Sequence, residues 1–223
     1  MTANVIIPAR GGSKGIINKN LQVVGSHRLI EHAIHASLDA EQVVGVYVST
    51  DDQNIAAVAE DAGANVIMRP DELAKDNSLT IYAVLHAMFM IPPEHRLDVI
   101  TLVQCTAFPQ SPVVIDAVVT GLDEQNADCA LSVREEINFI WRKDPAGYGY
   151  LANQSIFKPR QECQPEYMTT SAVFAAWFSW LKEKKTFWGG RMALIQDDVT
   201  VVDIDEPRDL ELARAWAVYK GYE

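Results

Sequence analysis

Residues 4–20 read NVIIPARGGSKGIINKN, an apolar β-branched run that breaks into a glycine pair set among cations. A run such as NVIIPA, without polar alternation, is the pattern of a strand buried on both faces of a parallel sheet. Glycines directly after such a strand let backbone N–H groups converge on an anion, since no Cβ blocks the approach. Arg10 and Lys14 bracket Gly11, Gly12 and Ser13, and Lys19 follows one loop turn later. The first acid of the chain is Glu31, although the whole carries a net charge of −11. Positive charge is thus concentrated where a phosphate chain would sit, against the overall field. Neither GxxxxGK[ST] nor GxGxxG is present, so the loop is neither a Walker A nor a dinucleotide fingerprint.

Working outward, strand and helix patterns alternate. The spacing predicts a helix over 29–38, with Ile30, Ala33, Ile34 and Ser37 on one face. VVGVYVST (43–50) reads as a second strand, delivering Thr50 and Asp51 as N-caps for a helix that Gly63 ends. ANVIMRP (64–70) is a third strand, 79–90 a helix, DVITLVQ (98–104) a buried strand, VVIDAVVTGLDE (113–124) a helix and DCALSVRE (128–135) a strand. From Trp141 to Thr169 glycine and proline interrupt mixed polar and aromatic residues, which marks an excursion from the core. VTVVDID (199–205) reads as the last strand, with a helix from Pro207. The expectation is one domain, 1–223, of three-layer α/β type: a mostly parallel sheet with helices on both faces. Ligands bind beyond the carboxyl ends of such strands.

At 223 residues, 48% of them hydrophobic, the chain can bury one sizeable core. Its acidity speaks against nucleic-acid or anionic-membrane partners. The three cysteines lack metal-ligand spacing, no secretory leader pattern opens the sequence, and no apolar run reaches membrane-spanning length. A reduced, cytoplasmic setting is expected. In VTVVDID, Asp203 and Asp205 lie two apart and so share a strand face. Two converging carboxylates suit a partly hydrated Mg²⁺ shared with phosphate oxygens, or else Asp205 caps the helix opened by Pro207.

IIPARGGSKGIINKN, with STDD (49–52), MRPDELAKDNS (68–78) and DIDEPRDL (203–210) in order, resembles the CMP-sialic acid synthetases, cytidylyltransferases that activate nonulosonic acids with CTP. The matches run from residue 5 to about 215. The resemblance implies a nucleotide-diphospho-sugar transferase type of fold and a homodimer whose 141–169 arm reaches over the neighbour. It also implies that Arg10 and Lys19 stabilise transition-state charge, and that Gly11, Gly12, Ser13 and Lys14 hold the phosphates. Asn20, Arg69 and Ser78 would hold cytosine and ribose, and Asp203 and Asp205 the Mg²⁺.

On the acceptor side the likeness thins. Gln104, Thr106, Arg160, Gln161 and Tyr167 match positions expected to meet an acidic acceptor. VQCTAFPQ (103–110), however, puts Cys105, Ala107 and Gln110 where proline, serine and a basic residue are usual. Thr170 and Ser171 replace an Asn-Gly pair. Hydroxyls do not reproduce an amide and an open backbone. The acceptor is therefore open: a sialic, legionaminic or pseudaminic type of sugar acid, or another small acid. Two alternatives stand beside it, a same-fold nucleotidyltransferase with another nucleotide, and a non-catalytic nucleotide-binding protein. His32 and His35 read as packing or surface, Cys105 as no nucleophile, and Phe174, Trp177, Phe178 and Trp180 as core or subunit contact.

Overall fold

The computed structural model describes residues 1–153, 159–199 and 201–222. The opening apolar run forms β1 (Ala3–Pro8), buried throughout from Ala3 to Ile7. It lies inside a seven-stranded sheet. The other strands are β2 (Val43–Thr50), β3 (Asn65–Met68), β4 (Val99–Val103), β5 (Cys129–Glu136), β6 (Glu166–Trp177) and β7 (Met192–Gln196). Their order across the sheet is β7-β5-β6-β4-β1-β2-β3. β6 runs antiparallel to both its neighbours, and every other adjacent pair is parallel.

Alternation along β1 divides the core. Val5 and Ile7 face a layer built by α1 (Leu29–Leu38), α2 (Gln53–Asp61) and α4 (Pro112–Glu124), through Ile30, Ile34, Ile55, Ile115 and Val119. Ile6 faces the opposite layer, where Val84 and Met88 of α3 (Thr80–Met90) and Leu181 of α5 (Phe178–Lys184) pack with Ile100 and Phe174. The expected three-layer α/β architecture is the one observed. Phe174 is a core residue, as read from the sequence.

α1 spans the expected residues, and its first turn is closed by Glu31 accepting from the Arg28 N–H at 2.6 Å. The cap of α2 differs by one position. Asp52 takes the Asn54 and Ile55 N–H groups, while Thr50 accepts from the Asp52 N–H.

Two expectations are corrected. VTVVDID is not a strand of the main sheet: Val202–Asp203 pairs only with Ala107–Phe108, antiparallel and apart from it. The last sheet strand is instead β7, parallel to β5. Asp203 therefore lies in that short ribbon and Asp205 beyond it, without the shared strand face expected of the pair. The excursion is shorter than read. Trp141–Lys143 and Gly149–Leu151 make an antiparallel ribbon, but Glu166–Thr169 already belong to β6 and pair with β5. Residues 154–158 of it lie outside the described residues.

A small third cluster closes the carboxyl end of the sheet. Ile16, Leu29, Phe108 and Ile204 pack there against Leu210, Ala213 and Ala217 of α6 (Pro207–Lys220). Because β1 carries the glycine loop, its packing sets the loop's position. Ile6→Ala should cost about 3 kcal/mol by leaving a cavity between β1 and α3, read as a lowered urea midpoint at unchanged slope; a loss below about 1 kcal/mol would show that the layer collapses to fill it.

Candidate active site

The carboxyl ends of β1, β3 and β4, with the turn before α6, enclose a cleft of about 430 Å³. Arg10, Ser13, Lys14, Lys19 and Asn20 enter it from the loop after β1. Arg69 and Ser78 come from the segment after β3, Gln104 and Thr106 from the end of β4, and Asp205 from the turn before α6. Ten of the residues singled out in the sequence are thus brought together.

Four of the cations there are each held by an acid distant in the chain. Arg10 Nη1 donates to Asp76 Oδ1 at 2.7 Å and to the Ala74 carbonyl at 3.2 Å. Lys14 Nζ lies 2.5 Å from the other Asp76 oxygen. Lys19 Nζ donates to the Ile204 carbonyl at 2.8 Å and to Asp205 Oδ1 at 3.0 Å. The Arg69 guanidinium, with a side chain only 4% exposed, pairs with Asp51 at 3.3 Å. Burial lowers Arg69 from its ordinary value, and the Asp51 hydrogen bond opposes that. Its Nε is buried and has no hydrogen-bond partner among the described residues. Asp76, sequence reading of which assigned no role, is held below the usual carboxylate range by hydrogen bonds from Lys14 and Arg10.

The glycine pair behaves differently from expectation. The Gly11 N–H is spent on Asp51 Oδ1 at 3.1 Å, and a Cβ on Gly11 would come within 2.9 Å of Asp52. Gly11 is thus small because the β2 end packs on it. Gly12, at φ +65°, supplies the left-handed turn. Both border a shallow depression on the far side of Asp76 rather than the main cleft.

Asn20 is nearly buried and donates to the Arg10 carbonyl at 2.9 Å, fixing the loop backbone. Its Oδ1 accepts from the Cys105 thiol at 3.2 Å. Cys105 also lines the cleft, and burial pushes its thiol up to about 12, which makes it no nucleophile at neutral pH. Gln110, in the place of a basic residue, instead pins the β4 loop by donating to the Gln104 and Ala107 carbonyls.

The acceptor-side residues divide. Gln104 and Thr106 face the cleft, and an apolar recess of about 310 Å³ opens beside Gln104 and Thr80, walled by Leu102, Phe174, Phe187 and Trp188. Arg160 and Gln161 sit in an exposed 3-10 turn and do not line the cleft. Tyr167 is half exposed on β6, with its hydroxyl 3.5 Å from Glu135. Thr170 is buried with its hydroxyl 2.6 Å from that of Ser132, and it does not line the cleft.

Among the described residues no group of three His, Cys, Asp or Glu gathers to hold a metal. Asp203 and Asp205 supply two carboxylates, and Asp203 still reaches water. Loss of solvation and then the Asp205 charge raise Asp203, opposed by hydrogen bonds from Ser171 and Thr106. Two open carboxylates are oxygen donors of the kind a hard divalent cation takes, with phosphate and water completing its shell. His32 donates from Nε2 to the Val24 carbonyl at 2.8 Å and packs its ring on Phe108, away from the cleft.

Residues 4–174 match the family described as cytidylyltransferase. The N-acylneuraminate cytidylyltransferase of Escherichia coli O18:K1:H7 is 31% identical over 93% of this chain and 50% of its own length. The CMP-N,N'-diacetyllegionaminic acid synthase of Legionella pneumophila is 28% identical over 93% of this chain and 92% of its own. A CMP:2-keto-3-deoxy-manno-octonic acid synthetase complexed with CTP shares the fold, with TM-score 0.74 at 16% identity over 99% of this chain and all of that one. The chain spans about half the length, or less, of the first curated relatives it matches.

At pH 8 iodoacetamide should leave Cys105 unlabelled in the folded protein while labelling it fully in urea, as read by mass spectrometry; equal labelling would contradict a thiol sealed beneath Asn20. The match over 4–174, on the fold and the cation-lined cleft, places this chain in the cytidylyltransferase family.

Proposed function

We propose that this chain transfers CMP from CTP to a hydroxyl of a nonulosonic-type sugar acid, releasing pyrophosphate. The observation that carries this is the cleft at the carboxyl edge, where Arg10 and Lys14 converge on Asp76, Lys19 on Asp205 and Arg69 on Asp51. The relatives' activities agree with it. An acceptor oxygen attacks the α-phosphorus in line as the bond to the leaving pyrophosphate breaks, and the acceptor proton passes to solvent. Arg10 and Lys19 offset the charge that builds on the phosphoryl oxygens, and Lys14 grips the pyrophosphate side. Asn20, Arg69 and Ser78 orient the nucleoside, with the spare Arg69 Nε as a donor. Positioning accounts for much of the rate, since no covalent intermediate is formed on the chain.

Asp203 and Asp205 would hold Mg²⁺, which when bound neutralises phosphate charge and acidifies the acceptor hydroxyl. Gln104 and Thr106 would meet the acceptor, and the recess beside Gln104 suits an apolar substituent such as an acyl group. Arg160, Gln161 and Tyr167 would join the acceptor site from outside this cleft. The exposed Trp141, Tyr148 and Tyr150 of the small ribbon support its reading as an arm pairing with a second copy. Free buried thiols at Cys105 and Cys129 suit a reducing cytoplasm. The net charge of −11 disfavours nucleic-acid partners, and no helix among the described residues is long and apolar enough to cross a membrane.

Pyrophosphate release should require CTP, a nonulosonic acid and Mg²⁺, and should stop with EDTA. Equal turnover with UTP or ATP would replace the nucleotide, and silence across the sugar acids beside firm CTP binding would replace the acceptor. Arg10→Ala should lower kcat/KM by about 10²–10³-fold in a folded protein; near-normal turnover would remove Arg10 from the chemistry. Asp205→Asn should raise the Mg²⁺ concentration needed for half-maximal rate, and an unchanged titration would leave Asp205 as the Lys19 partner alone.

A further inference from the structure

We propose that Lys75 is a binding residue for the β- and γ-phosphates of the nucleotide, and so for the pyrophosphate that leaves. The assignment rests on the reading of the cleft as a CTP site.

Lys75 lies within MRPDELAKDNS (68–78), where sequence reading gave roles to Arg69 and Ser78 and none to it. It is the fifth cation lining the cleft, and it is exposed. Arg10, Lys14, Lys19 and Arg69 are all engaged with carboxylates, whereas among the described residues no carboxylate pairs with Lys75. Arg10 and Lys14 must give up Asp76 before they meet a phosphate. Lys75 gives up only water, so its whole charge is available to the first anion that enters.

Its place in the cleft says which part of the nucleotide it meets. Arg10, Lys75 and Asp76 each line both the cleft and the shallow depression beyond it, and so form the wall between the two. The backbone of that wall is pinned. The Ala74 carbonyl takes Arg10 Nη1 at 3.2 Å, and the Lys75 carbonyl takes the Ser78 N–H at 2.9 Å. A fixed backbone carrying a flexible ammonium suits a phosphate group, which offers oxygens in several directions and needs no fork geometry. The buried Arg69 marks the deep end of the cleft and the wall at Lys75 its open end. The far phosphates of a triphosphate lie at that open end, and pyrophosphate departs from it to solvent. CMP stops at the α-phosphate and does not reach it.

The test measures CTP and CMP affinity by titration calorimetry, at fixed Mg²⁺ and low ionic strength and without acceptor. It compares the wild type with Lys75→Gln, Lys75→Arg and Lys182→Gln, the last removing an exposed charge on α5. Lys75→Gln should bind CTP about tenfold more weakly, the size of one lost charge-assisted hydrogen bond, with CMP affinity unchanged. Lys75→Arg, which keeps the charge, and Lys182→Gln should stay near the wild type for both nucleotides. Unchanged CTP affinity in Lys75→Gln would overturn the assignment, and so would equal losses for CTP and CMP, which place Lys75 at the nucleoside or in the fold. An equal loss in Lys182→Gln would leave only the general field of the protein. Lys75→Arg as weak as Lys75→Gln would show that the charge is not what binds. A wild type that held CTP no more tightly than CMP would remove the triphosphate from the cleft; the proposed function would then fall, taking this assignment with it.

Discussion

Arg10, Lys14, Lys19 and Arg69 repel one another around one cleft, and interleaved carboxylates make the arrangement tolerable before a ligand arrives. Asp76 serves Arg10 and Lys14, Asp205 serves Lys19, and Asp51 serves Arg69. The pairs differ in depth. Arg69 is nearly sealed, so its Asp51 partner is a permanent counter-ion that also ties down Gly11. Asp76 and Asp205 are open to water, and exchanging such exposed pairs for phosphate oxygens costs little. The cleft therefore has a fixed end at Arg69 and an exchangeable end along Arg10, Lys14 and Lys19. That is the polarity expected for a base held deep and a triphosphate held shallow.

The sheet makes this possible by bringing distant segments to one edge. Parallel β1, β3 and β4 each release their chain on the same side, and the turn before α6 closes the cleft from below through Ile204. The antiparallel β6 enters beside β4 and is kinked at Ser171. The chain departs most from the segments it resembles in the β4 loop and at Thr170 and Ser171, which the proposed function gives to the acceptor side. It departs least in the β1 loop and the segment after β3, which the proposal gives to the nucleotide.

What the sequence made legible follows from the range of the forces involved. β1, α1, α4 and α6 were readable because buried β-branched runs, helical spacing and an opening proline such as Pro207 act within a few residues. β7 was not, since a short edge strand with half-exposed residues lacks the continuous apolar run of its neighbours. VTVVDID misled for the opposite reason: its β-branched run is real, but Val202–Asp203 finds only the Ala107–Phe108 ribbon to pair with. Most cleft residues were identified by motif, yet which acid pairs with which cation was not. Arg10 and Asp76 are 66 residues apart and Lys19 and Asp205 are 186 apart, separations at which no local pattern speaks. The glycine pair shows the same limit, because the reason for Gly11 lies in Asp51 and Asp52 at the end of another strand.

The exchange of carboxylate for phosphate is the centre of this picture, and a crystal structure with a non-hydrolysable CTP analogue tests it most directly. Arg10 and Lys14 should leave Asp76 and meet phosphate oxygens, Lys19 should turn toward the same chain of phosphates, and the Asp51–Arg69 pair should remain. Phosphates bound elsewhere, with Arg10 and Lys14 still on Asp76, would contradict it.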